Sequence, residues 1–125
     1  MGIIKQTIKL VGAKGRQDAT ALFDSGATYS FVRYDIAKAI ASIEKLPEPM
    51  VFETAKEDEY ITIEEAIRTD FYIEIYRLSD EFLVSKIITE EVIIGVHTMQ
   101  KWRMKLDFEN DEVIVDPQVT RLMLK

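Results

Sequence analysis

The stretch Ala21–Val32, ALFDSGATYSFV, puts an acid in an unusual place. Asp24 ends an apolar run and is followed at once by Ser25 and Gly26. An ordinary buried strand does not end by aiming a carboxylate at a glycine turn. Two readings are open. Asp, Ser and Gly are all turn formers, so the tripeptide can be a plain turn. Alternatively, Asp24 is the working half of a catalytic site, aimed by the strand end and held by a tight loop. Gly26 would then leave room for a substrate backbone or a second chain to approach. Ala27 is small enough to do the same, and Ser25 can lock the loop by offering its hydroxyl to neighbouring backbone. Rigid support of that kind is what catalytic geometry needs.

The elements that must position this acid are mostly strands. Ile3–Leu10 alternates and reads as a strand, closed by turn signals at Gly12 and Gly15. ATALF is a short β run ending at Asp24. Residues 34–43 read as a helix, with Ile36, Ala39, Ile40 and Ile43 on one face. Pro47 and Pro49 forbid its continuation. MVFETA and YITIEEAI read as two strands joined across KEDE, and DFYIEIY and EFLVSKII as a second hairpin across RLSD. EEVIIG is a short apolar strand stopped by Gly95, HTMQKWRM a second short helix, and KLDF and EVIVD a hairpin across END. The tail PQVTRLMLK takes no assignment. No long βαβ alternation suggests a parallel sheet. The fold class expected is all-β with two short helices.

Composition narrows the function. A length of 125 residues suits one domain, and 47% hydrophobic residues allow a modest core. Sixteen Lys and Arg against 22 Asp and Glu give a net charge of −6, with no basic run, which argues against a nucleic-acid partner. Cysteine is absent, which removes disulfides, thiolate nucleophiles and cysteine-ligated metals. No signal peptide and no apolar window of about 20 residues is visible, so no membrane association and a cytoplasmic location are expected. His97, the single histidine, lacks partners for a triad or metal centre and reads as a surface or supporting residue. Asp107, Glu109 and Asp111 alternate as in a calcium loop. That loop needs Gly at its sixth position and Glu at its twelfth, where this chain has Glu112 and Gln118. No metal and no cofactor is expected.

ALFDSGATYSFV resembles the active-site stretch of aspartic peptidases, and most of all the retropepsins, the small retroviral and retrotransposon type with their cellular relatives. A second shared feature is an apolar pair and glycine before a helix, here Ile93, Ile94 and Gly95 ahead of VHTMQKWRM. The resemblance covers roughly residues 3 to 116. It implies a single retropepsin-like domain over 1–125, folded as a closed acid-protease barrel, with a flap at about 50–66 and a C-terminal hairpin and tail at 105–125. It implies that Asp24 is catalytic, that Ser25, Gly26, Ala27 and Thr28 support the loop, and that Ile93, Ile94 and Gly95 pack beneath it. Thr28 stands where retroviral members carry a second acid and cellular ones Ser or Thr. Trp102 and Met104 are expected in the core beneath the loop.

The chemistry so implied needs two carboxyls sharing one water. Two carboxyls in contact cannot both ionise cheaply, a behaviour for which aspartic peptidases are the standard example. This chain carries one Asp-Ser-Gly. The second acid must come from an identical chain across a two-fold axis. A homodimeric aspartic endopeptidase acting on peptide or protein substrates is therefore expected, with Asp24 of each protomer face to face. The flap candidates Thr54, Ala55, Lys56, Glu57 and Asp58 depart from the family in lacking glycine, and Asp58 is the residue that tolerates a left-handed turn. That departure motivates the alternative, a non-catalytic peptide-binding or dimerisation module of the same fold. Val113, Val115 and the C-terminal tail are candidates for an interchain sheet.

Overall fold

The computed structural model describes residues 2–124. Met1 and Lys125, the ends of the expected 1–125 domain, lie outside the described residues. The strands in chain order are β1 (Ile3–Val11), β2 (Arg16–Asp24), β3 (Phe31–Arg33), β4 (Glu44–Glu53), β5 (Tyr60–Ile73), β6 (Tyr76–Ser85), β7 (Val92–Ile94), β8 (Lys105–Asp107) and β9 (Glu112–Ile114). Two short helices, α1 (Tyr34–Ile40) and α2 (Val96–Lys101), interrupt them. None is long and apolar enough to cross a membrane among the described residues.

The main sheet runs β1-β2-β7-β3-β6-β5-β4, and β1 also pairs with β5, from Lys9 opposite Tyr72 to Val11 opposite Asp70. That extra pairing closes six strands into a barrel and leaves β4 as a flanking strand on β5. Closure removes two edges that would otherwise expose unpaired backbone. Inside lie Phe23, Phe71 and Phe82 with Ile4, Ile8, Leu10, Ile36 and Ile67, all 2% exposed or less. Phe71 and Phe82 meet edge to face at 5.6 Å, the arrangement that aromatic quadrupoles favour.

YITIEEAI and most of DFYIEIY form one continuous strand, β5, rather than two, and β2 starts at Arg16, ahead of ATALF. Three further expectations move for a local reason. The first helix ends at Ile40 rather than Ile43, because the Ile40 carbonyl accepts Lys14 N–H at 2.9 Å and Ala41 turns extended. Gly12 makes this docking possible, since a Cβ there would overlap the Ile40 carbonyl. Ile43 still packs against the core from beyond the helix. Second, β4 begins at Glu44, ahead of Pro47 and Pro49. It tolerates them because it pairs on one side only and shifts register between Lys45 and Met50. The flap hairpin therefore has longer arms than 50–66. Third, RLSD is not a turn. The second hairpin turns at Glu74 and Ile75, with Ile73 opposite Tyr76 and Glu74 at φ 56. Leu78 is buried and Asp80 lies within β6. Asp70, itself buried, fixes this hairpin by pairing with Arg68 at 2.7 Å and Arg77 at 2.8 Å.

Val113 and Val115, candidates for an interchain sheet, have their side chains in the core of this chain. Their alternation with Ile114, 45% exposed, places them inward. Trp102 is also core and donates from its indole nitrogen to the Ser79 carbonyl at 2.9 Å. Met104 packs on the core at its margin. Leu122 to Leu124, in the tail, are exposed.

Removing the Phe82 ring should lower the unfolding free energy by about 3–5 kcal/mol, as large-to-small changes in such cores do. Urea unfolding of Phe82→Ala checks this. Ile75→Asp, at the 83% exposed hairpin tip, should change stability by no more than about 0.5 kcal/mol.

Candidate active site

Asp24 is the last residue of β2, immediately after the fully buried Phe23. β2 is anchored on both sides. It lies antiparallel to β1, with Ile3 opposite Asp24, and parallel to β7, with Phe23 opposite Ile94. The acid therefore sits at the end of a strand that cannot shift along its axis. A turn follows, closed by Ala27 N–H on the Asp24 carbonyl at 3.1 Å. Asp24 Oδ1 accepts Gly26 N–H at 2.8 Å, which fixes the carboxylate plane. Ser25 faces Gly2, with its Oγ 3.3 Å from Gly2 N and 3.4 Å from Gly2 O. The hydroxyl thus ties the loop to the chain just before β1.

The loop next crosses the start of α2. Ala27 O accepts Val96 N–H at 2.7 Å and Thr28 O accepts His97 N–H at 3.1 Å. The first amides of a helix lack intrahelical partners, and here the loop carbonyls supply them. Gly95 permits this approach. A Cβ there would collide with the Tyr29 carbonyl oxygen and stand 2.9 Å from that of Ala27. Ile94 packs in the core, while Ile93, on the opposite face, lines the cleft in front of Asp24. Of the three residues expected to pack beneath the loop, Ile94 lies in the core, Gly95 lies against the loop carbonyls, and Ile93 lines the cleft.

The cleft has a volume of about 710 Å³. Asp24, Gly26, Ala27 and Thr28 form its floor; Phe31, Phe52, Ile61, Ile88 and Ile93 form apolar walls. Thr54 and Ala55 from the flap line it too. Lys56, Glu57 and Asp58 do not; they form the exposed tip. Thr54 N–H reaches Glu59 O at 3.1 Å, and Glu59 N–H reaches Lys56 O at 3.2 Å, with Asp58 at φ 60 supplying the left-handed residue. At the flap's root, Phe52 meets Phe31 at 5.2 Å and Tyr29 at 5.7 Å, both edge to face. His97, exposed, stands edge-on to Tyr29 at 5.0 Å.

Several supporting residues carried no signal in the sequence. Ser30 and Thr98, each 2% exposed, share a hydrogen bond of 2.6 Å beneath the loop. Ser30 Oγ also accepts Gly95 N–H at 3.0 Å, and Thr98 donates to Asp80 at 2.7 Å. Arg33 grips Asp35 through two nitrogens, at 2.8 and 3.1 Å, and donates to Thr89 O at 3.0 Å. That last bond steadies the segment bearing Ile88. The Arg33 hydrogen bond, aided by its charge, holds Asp35 below the usual carboxylate range. Buried Ser85 accepts Ile87 and Ile88 N–H from the other side. Only tertiary contact reveals such roles, because isolated Ser, Thr and Arg residues have no diagnostic spacing.

A carboxylate immobilised at the base of an apolar cleft, below a hairpin, is suited to holding an extended peptide against an acid–base group. Comparison with known proteins bears on the family and the fold. The family model described as retroviral aspartyl protease matches residues 4–121. No curated protein sequence matches the chain. Among solved structures, the chain is similar to the retroviral protease-like domain of Ddi1 from Leishmania major. The TM-score is 0.68 at 16% identity, over 93% of this chain and 91% of that one. At that identity the likeness concerns the fold. The Simian Foamy Virus (mac) protease matches at a TM-score of 0.48 and 16% identity, over 76% of this chain and 92% of that one. With its closed barrel and its match over nearly the whole length, the chain belongs to the retroviral aspartyl protease family.

Proposed function

We propose that this protein is a homodimeric aspartic endopeptidase in which the Asp24 carboxyls of two identical chains activate one water. The observation that carries this reading is the placement of Asp24: a carboxylate fixed by the Gly26 amide and lining a peptide-sized, mainly apolar cleft, which Glu53 of the flap strand also lines. One acid cannot perform the reaction, and the sequence holds one Asp-Ser-Gly. A second copy related by two-fold symmetry would supply the other.

In the reaction, the ionised Asp24 takes a proton from the water as its oxygen attacks the scissile carbonyl. The protonated Asp24 gives its proton to the carbonyl oxygen. The resulting gem-diol collapses as its C–N bond breaks. The amine leaves with a proton from one carboxyl, and a hydroxyl proton returns to the other. Positioning the water and keeping one proton between two acids are the protein's tasks. The Gly26 amide holds one oxygen of Asp24 and so limits its rotation. A second chain and a bound peptide would cover the apolar walls and reduce the water around the acids, which strengthens the acid–base interactions inside.

The alternative of a binding module without turnover was motivated by the glycine-free flap. Asp58 adopts the left-handed conformation that glycine would otherwise provide, so the tip can turn tightly without it. This supports the enzymatic reading over its rival.

Asp24→Asn should reduce peptide cleavage by at least about a thousandfold, the range expected for loss of a positioned acid–base group. Its circular dichroism and its dimer mass by sedimentation equilibrium should be unchanged. Undiminished cleavage by this variant contradicts the assignment. The kcat/KM of the native protein should follow a bell-shaped pH curve, since one carboxyl must be ionised while its partner is protonated; a rate climbing steadily into alkali argues against a shared proton. Mixing native chain with Asp24→Asn chain at fixed total concentration should lower activity as the square of the native fraction. A linear fall would mean that each chain works alone.

A further inference from the structure

We propose that Asp80, in β6 and remote in sequence from the loop, is a positioning residue for Asp24 that acts through a hydrogen-bond chain of fixed direction. The direction follows from chemistry. A carboxylate accepts only, so the Thr98 hydroxyl donates to Asp80 Oδ2 at 2.7 Å. Thr98 has then spent its one proton and must accept from Ser30 at 2.6 Å. Ser30, its own proton committed to Thr98, keeps its oxygen free to accept Gly95 N–H at 3.0 Å. Asp80 is held in turn by Glu81 N–H at 2.8 Å and by Lys101, 3.7 Å away, both on Oδ1. The order is thus Gly95 to Ser30 to Thr98 to Asp80, with no alternative arrangement of protons while Asp80 is ionised.

Such a chain does more than fill space. Hydrogen bonds in series polarise one another, and a charged terminal acceptor strengthens those upstream. Ser30 and Thr98 are each 2% exposed, so losing the acceptor leaves buried hydroxyls without a partner. The chain ends on Gly95, whose two following amides hold the Ala27 and Thr28 carbonyls of the catalytic loop. Asp80 therefore sets where Gly95 sits, Gly95 sets where α2 begins, and α2 sets the loop. The catalytic consequence rests on the proteolytic reading above; the structural one does not.

The test compares Thr98→Val, Thr98→Ser and Asp80→Ala in the full-length protein by two measurements. The first is amide hydrogen exchange. Thr98→Val and Asp80→Ala should speed exchange at Gly95, Val96 and His97 about tenfold or more, while β5 and β6 amides away from residue 80 stay as protected as in the native protein. Thr98→Ser, which keeps the hydroxyl, should restore native protection. The second is peptide cleavage, in which Thr98→Val and Asp80→Ala should lower kcat about tenfold with KM within about twofold, and Thr98→Ser should recover most of it. Unchanged exchange at 95–97 in Thr98→Val, acceleration spread evenly over the molecule, or failure of Thr98→Ser to recover overturns the proposal. If the native protein cleaves no peptide, the proteolytic reading falls, and the exchange data alone decide whether Asp80 positions the loop.

Discussion

The close approach of Gly95 to the loop carrying Asp24 is the contact on which the site depends. Two carbonyls, of Ala27 and Thr28, accept the Val96 and His97 amides that open α2. The distance of 2.7 Å for the first is short for an amide bond to a carbonyl. Such proximity excludes any side chain at residue 95, and a Cβ would meet two carbonyl oxygens there. The parallel pairing of β2 and β7 delivers both partners to this point, since Phe23 and Ile94 lie side by side one residue before each loop begins. The barrel, in this sense, is a device for bringing two distant strand ends together at fixed register.

Much of this was legible because the signals were local. The strand character of residues 3–10, the turn glycines, Asp-Ser-Gly and the apolar pair before Gly95 are each read within a few residues. What was not legible depended on neighbours far away in sequence. RLSD looks like a turn from its Ser and Asp, yet Leu78 is needed by the core and Trp102 needs the Ser79 carbonyl. The true turn, Glu74 and Ile75, contains neither Gly nor Asn, so nothing local announced it. Composition alone does not say which way Val113 and Val115 face; packing of this segment against the core does. Ser30, Thr98 and Asp80 could not be found at all, being ordinary polar residues until the fold places them in line.

The flap illustrates how a departure from a family pattern can be neutral to geometry. Its tip bears Glu57, Asp58 and Glu59 where glycine is usual, and one weak, exposed pair between Lys56 and Glu59 at 3.8 Å. Surface pairs of this kind contribute little. Order at the tip comes instead from backbone bonds closing residues 54–59 and from Asp58 in the left-handed region, where Asp is among the more tolerant residues. The firm hold is at the root. Phe52, wedged against Tyr29 and Phe31, joins the flap to the residues just after the Asp24 loop. Motion of the hairpin would thus be felt at Tyr29, and through Tyr29 at His97.

Carboxylates that tie a scaffold together must stay ionised as pH falls if the scaffold is not to loosen in acid. Two aspartates are held in this way. Asp35 is held below the usual range, chiefly by the hydrogen bond from Arg33. Asp107, in β8, is held low chiefly by the Asn110 side chain, whose amide lies 2.8 Å from Oδ2. The sign of the linkage is definite. A carboxyl whose folded value is depressed stabilises the fold above its unfolded value, and surrenders that stability only as pH falls through the lower, folded one. Both therefore stay ionised further into acid than an unpaired aspartate would. Both are exposed to solvent, so their effect on global stability is small. For Asp35 the value is local: Arg33 joins it to the Thr89 carbonyl, next to the segment whose Ile88 lines the cleft.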